Sequence, residues 1–224
     1  MALPLIDKLD SFEIVRDQIA AILATESAAQ QVLATAASKD PLLWVLNVYK
    51  ERDWPLEQWL NAGPTLTAAT APVVTVWMEQ SSFDAKSSSN TAAQQMYDVT
   101  YNIDITARGV SANDVAGGYD PADREARMNC QAAVRLVRNI LSATENRYLG
   151  LRTIVWGFPQ FETFEMGPAP SEEHQSSLSA WSCRARFKVK MTEMSPEFTD
   201  YANLELIHID TSDAGQVILE SEFS

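Results

Sequence analysis

Two long stretches of this chain alternate apolar and polar residues with a period of two, and their polar faces carry opposite charge. From Tyr97 to Arg108 the apolar set is Tyr97, Val99, Tyr101, Ile103, Ile105 and Ala107, with Asp98, Thr100, Asn102, Asp104 and Thr106 between. From Trp181 to Met191 it is Trp181, Cys183, Ala185, Phe187, Val189 and Met191, with Arg184, Arg186, Lys188 and Lys190 between. Successive side chains of a strand point to opposite faces, so this period requires strands with one buried and one wet face. Opposite charges on neighbouring strands attract. The pattern is that of a scaffold built around a sheet.

The rest of the chain supplies helices to cover that sheet. Asp10 stands at an N-cap with Glu13 in capping-box spacing, and Phe12, Val15, Ile19 and Ile22 follow as a core-facing stripe. An alanine-rich continuation runs to Ala37, and Asp40-Pro41 stops it. A second helix is expected from Asp120, as N-cap before Pro121, to about Thr144. Its core stripe is Ala126, Cys130, Ala133, Val137, Ile140 and Leu141. A second stripe, Arg124, Arg127, Gln131, Arg135 and Arg138, is read as solvated at Arg124 and as an interface at Arg127, Arg135 and Arg138.

Further strands are expected at Leu42 to Glu51, apolar on both faces and so either a central strand covered on both sides or one with a side covered by another subunit, at Pro72 to Gln80, and at Leu151 to Phe158. A C-terminal pair, Leu204 to Ile209 and Gln216 to Glu220, closes the inventory, while Arg52 to Ala71 reads as loop with a helical turn around Leu56 to Leu60. Ser81 to Gln95 is small and polar and is expected to be a mobile hairpin arm, with Lys86, Ser87, Ser88, Ser89 and Asn90 as its partner-binding tip. The fold class is therefore α+β: a mainly antiparallel sheet flanked by two long helices, with a long hairpin arm. We expect a single domain over residues 1–224, with projecting loops at about 81–95 and 159–176 and a C-terminal extension at about 195–224.

Charge and composition limit the function classes. The net charge of −13 opposes tight nucleic-acid binding, which needs phosphate neutralisation. No apolar run nears the length of a membrane span, and the N-terminus lacks a basic segment followed by an apolar core. Cys130 and Cys183 sit at core-facing positions, which fits two buried thiols in a reducing cytosol better than a disulfide. Glu172, Glu173 and His174 invite a metal reading, but adjacent residues rarely converge on one ion without ligands elsewhere. Carboxylate pairs such as Glu162/Glu165 and Asp98/Asp104 arise readily among 30 acids. No nucleophile elbow, phosphate loop or dinucleotide fingerprint occurs. Neither an enzyme nor a cofactor is expected, although Trp44, Trp54 and Trp59 could line a pocket in a ligand-binding protein or small hydrolase.

The order of elements resembles that of the neck and tail-terminator proteins of tailed bacteriophages, particularly those with contractile tails. The resemblance rests on the first helix (Phe12-Glu-Ile-Val-Arg-Asp-Gln-Ile), the Trp- and Pro-rich strands, the hairpin with an acidic-polar face, the Asp-capped helix (Asp120-Pro-Ala-Asp-Arg-Glu-Ala-Arg) and a late strand. It implies a homo-hexameric ring that caps the tail tube, possible contact with the sheath, and a docking face for head-connector or adaptor proteins. It implies a virion protein assembled in the bacterial cytoplasm; in such a ring Arg127, Arg135, Arg138, Arg184 and Arg186 are the expected subunit-interface residues on their own charge chemistry. The chain is longer than shorter tail terminators around Pro159 to Ser176 and after Met194, so another neck component is the alternative.

Overall fold

A computed structural model describes residues 9–51, 67–87, 90–91, 94–110, 122–168 and 178–194. The chain is α+β, with a mixed five-stranded sheet and two long helices among the described residues. Helix α1 spans Ser11–Ala36 and helix α2 spans Ala122–Leu141. The strands are β1 (Asn47–Lys50), β2 (Val73–Phe83), β3 (Gln94–Val110), β4 (Val155–Pro168) and β5 (Leu178–Met194), in the spatial order β1-β2-β3-β5-β4. β1 runs parallel to β2, and the other neighbouring pairs are antiparallel.

The two alternating stretches are the two central strands. Their register sets Val99 against Val189, Tyr101 against Phe187, Ile103 against Ala185 and Ile105 against Cys183. On the same face Val74 and Val76 of β2 join them, and all are buried. Val15, Ile19 and Leu23 of α1 and Cys130, Ala133 and Val137 of α2 pack on that face, forming one core between the helices and the sheet. The cysteines are both buried and free, as their positions required. Loss of hydration pushes the Cys130 thiol up to about 12 and the Cys183 thiol to about 11, so both stay protonated.

α1 starts where the sequence places it. Asp10 and Glu13 form the capping box, and the Asp10 amide donates to Glu13 Oε2 at 3.2 Å. A residue from far along the chain adds to this cap: the Ser11 amide donates to Glu193 Oε2 of β5 at 2.9 Å. Burial raises the Glu193 pKa above its ordinary value, against the lowering effect of the Ser11 bonds. A raised carboxyl pKa means that the folded chain holds this proton more tightly than the unfolded chain. Its stabilising contribution is complete below the ordinary glutamate pKa and is lost as pH rises through the raised value. Melts of the chain against Glu193→Gln between pH 4 and 8 should therefore diverge, with the variant losing less stability as pH rises. Parallel curves would contradict this account.

Several expectations need correction. Leu42 to Glu51 is not a central strand. Pro41–Trp44 forms a 3-10 turn whose Asp40 side chain accepts from the Leu42 amide, and β1 is a short edge strand. Ser27 of α1 holds this segment by donating to the Trp44 carbonyl and accepting from the Leu46 amide. Local capping and a helix tether thus override the apolar, strand-like run of Leu42 to Tyr49. The next strand does not begin at Leu151: a turn carrying Leu149 and Gly150 at positive φ precedes β4. Nor do residues 159–168 project as a loop, because β4 continues through them to Pro168. Pro159 falls in the irregular register between Trp156 and Gln160, on a strand paired on one side only among the described residues, where proline is tolerated. Asp120, Pro121, the turn at Leu56 to Leu60, Trp54, Trp59 and the C-terminal pair lie outside the described residues.

Candidate interaction surfaces

The sheet face turned away from the helices carries the charges that alternation places there. Arg184 Nε and Nη2 donate to Asp104 Oδ1 and Oδ2 at 2.8 and 2.9 Å, a bidentate pair between directly opposed residues. Trp77 Nε1 also donates to Asp104, and the Arg184 guanidinium lies 5.1 Å from the Trp77 ring centre. Arg186 pairs with Glu79 at 3.1 Å, Lys188 with Glu162 at 3.6 Å and Lys190 with Asp84 at 2.6 Å. Each cation of β5 therefore meets an acid of its own chain. Arg184 and Arg186, expected at a subunit interface, are engaged within the subunit. The bond to Lys190 holds the Asp84 carboxyl below the usual range, and Asp104 raises the Arg184 pKa further.

Asn102 lies at the centre of this face, opposite Trp77 on one side and Arg186 on the other, and is fully buried. Among the described residues neither polar atom of its side-chain amide has a hydrogen-bond partner, and the same holds for Glu79 Oε2 and Arg186 Nε. Glu79 sits at an irregularity in the β2–β3 register, between Met78 and Gln80.

The arginines of α2 divide by environment. Arg127, Arg135 and Arg138 are all exposed, which fits a solvated helix face as well as an interface. Arg127 lies 5.5 Å from the Trp181 ring centre. Arg138 stands in the last turn, where a cation complements the helix dipole, and Asp123 and Glu125 do the same in the first turn. Arg135 lines a cleft of about 360 Å³ with Trp44, Leu46, Arg108, Asn129 and Asn139. Burial lowers the Arg108 pKa.

The expected arm is shorter than its sequence implies. Ser81 to Phe83 belong to β2, and Gln94 and Gln95 to β3. The connection is tied at its base: Asn90 Nδ2 donates to the Asp84 carbonyl at 2.6 Å, and Asn90 Oδ1 accepts from the Met96 backbone amide at 2.8 Å. Lys86 is exposed, Ser87 donates its amide to Asp84, and Ser88 and Ser89 lie outside the described residues.

Two surfaces were not singled out from the sequence. Among the described residues β4 is paired on one side only, and it exposes Trp156, Phe158, Phe164 and Met166. The aromatic spacing from Trp156 to Phe164 was the available signal, masked by Gly157 and Pro159. The second surface gathers Arg147, Tyr148, Arg152 and Phe158, with Arg147 only 3.5 Å from the Phe158 ring centre.

Among the described residues, no three His, Cys, Asp or Glu side chains gather as a metal site, and His174 with its neighbouring glutamates lies outside them. No described helix is long and apolar enough to cross a membrane. No protein-family model matches the chain, and no curated protein is similar to it at a significant level.

Proposed function

We propose that this chain is a structural assembly subunit, a ring-forming tail terminator that caps a phage tail tube and joins it to the head connector. The observation that carries the assembly reading is β4: among the described residues it is a fourteen-residue edge strand with four large apolar side chains in solvent. Unpaired backbone groups together with exposed apolar surface form a template for a second chain, and monomeric proteins normally blunt such edges. The occupant we assign is the next copy of the same subunit, in a head-to-tail contact that closes into a ring. Tail joining, the virion location and the hexameric count rest on the resemblance in element order. A head-closure or adaptor ring is the alternative within this class, and electron microscopy of labelled particles against the tube end distinguishes them. In this reading the hairpin tip around Lys86 and Asn90 contacts the tube or connector, and the protein has no catalytic role.

Arg127, Arg135 and Arg138 contact acids of the neighbouring copy. A charge-assisted bond contributes about 1.5–3 kcal/mol, so Arg135→Glu should weaken ring formation by roughly 10- to 100-fold without unfolding the subunit. Light scattering against concentration, alongside a melt, measures both. Unchanged assembly returns Arg135 to a solvated helix face. With −13 per subunit the ring repels phosphate, and a gel shift at about 150 mM salt should show no sub-micromolar duplex affinity.

The cleft beside Trp44 favours a second reading, a small-ligand site. Its volume of about 360 Å³ and its apolar walls with a few polar groups fall within the range of such sites. Tryptophan fluorescence against a metabolite panel tests this, and saturable quenching by one compound would support it.

A further inference from the structure

The turn between α2 and β4 forms an open groove of about 840 Å³ beside the N-terminal half of α1, lined by Ile14, Arg147, Tyr148, Arg152 and Ile154. Arg147 and Arg152 are exposed, and neither meets a carboxylate among the described residues. This contrasts with β5, where every cation has an acid of its own chain. Glu145, on the same rim, pairs with neither arginine. Their described contacts are instead aromatic: Arg147 lies over Tyr148 and Phe158, and Arg152 lies 5.7 Å from the Tyr148 ring centre. Stacking fixes the plane of a guanidinium and leaves its N–H edge free for a carboxylate.

We infer that this groove is the docking site of the chain's own acidic C-terminal segment, residues 195–224. Charge is the first argument. The segment carries Glu197, Asp200, Glu205, Asp210, Asp213, Glu220 and Glu222 and no lysine or arginine. Place is the second. β5 ends at Met194, and the Thr192 amide donates to the carbonyl of Ile154, a groove residue, at 2.8 Å. The segment therefore leaves the sheet at the margin of the groove, so a bound conformation closes only a short loop. Phe198 and Tyr201 lie beside the first acids and match the aromatic wall. The inference does not depend on the ring reading.

The test uses the full chain. In a variant carrying R147K and R152K, zero-length carbodiimide coupling should join positions 147 and 152 to carboxylates of residues 195–224, mapped by mass spectrometry. Mixing heavy- and light-isotope protein should give same-isotope links. In the charge-reversed chain, R147E with R152E, amide exchange in 195–224 should accelerate by about tenfold, the scale of one lost charge-assisted contact. Raising salt to about 0.5 M on the unaltered chain should accelerate it too, which covers the case in which charge reversal impairs folding. Links only to acids elsewhere, links only between heavy and light copies, or exchange unmoved by both charge reversal and salt would each overturn the assignment. The second of these would give the groove to a neighbouring copy.

Discussion

Gly109→Ala should lower the stability of this protein by about 3 kcal/mol, the upper end of what overpacking in a well-packed region costs. Gly109 stands near the end of β3, where the strand passes under the start of α2. A Cβ built there would collide with the Ala122 carbonyl oxygen and the Ala126 amide nitrogen. Both obstacles are backbone, so no rotamer change relieves the clash. Either α2 lifts from the sheet or β3 bends, and both moves disturb the seat of Ala126 and Cys130, which are fully buried. For a chain of this size the loss corresponds to a melting point lower by roughly 6–12 °C. A melting point within about 1 °C of the unaltered chain, which is under half a kcal/mol on the same scale, would mean that the approach of α2 to β3 is looser than described.

Tyr101→Ala should cost about as much or more. Tyr101 is fully buried at the middle of β3, and its hydroxyl donates to the Phe12 carbonyl at 2.9 Å, joining the sheet to the first turn of α1. Removing a buried aromatic side chain costs about 3–5 kcal/mol, through lost transfer free energy and an unfilled cavity. Tyr101→Phe separates the two contributions. It keeps the ring and removes the hydroxyl, and should cost about 1 kcal/mol. Burial raises the pKa of this phenol, so the hydroxyl remains a donor across the physiological range. Urea unfolding of both variants gives the difference. Equal losses for Phe and Ala would place the effect in the hydroxyl and contradict the packing account.

The parts legible in the sequence are those governed by local rules acting over many residues. The alternation of Tyr97 to Arg108 and Trp181 to Met191 is long enough that a one-residue slip would expose every apolar side chain, and these strands lie in the sheet as read. The cap at Asp10 and the stripe from Ala126 to Leu141 are similarly local. What failed depended on contacts between distant residues. Nothing near Trp44 announces that Ser27 will hold it in a turn, and Glu193 completes a cap more than 180 residues away. Gly157 and Pro159 read as loop punctuation because a sequence does not show that β4 is an edge, where such residues are tolerated. The charged residues of β5 are legible in the sequence, but not that Arg184 would pair with Asp104 and Arg186 with Glu79 of the same subunit. Partner choice among acids depends on strand order and on the irregularity at Glu79, neither of which leaves a local mark.

The central claim is that the subunit works as part of a closed ring, built on the β4 edge and the arginine face of α2. Mass measurement of the purified protein, alone and mixed with tail-tube protein, tests it most directly. The account predicts one discrete multiple of the 24.8 kDa subunit, formed by the chain alone or on meeting the tube end, with no open series of larger species. A subunit that stays monomeric at every concentration and never associates with tube protein would contradict it.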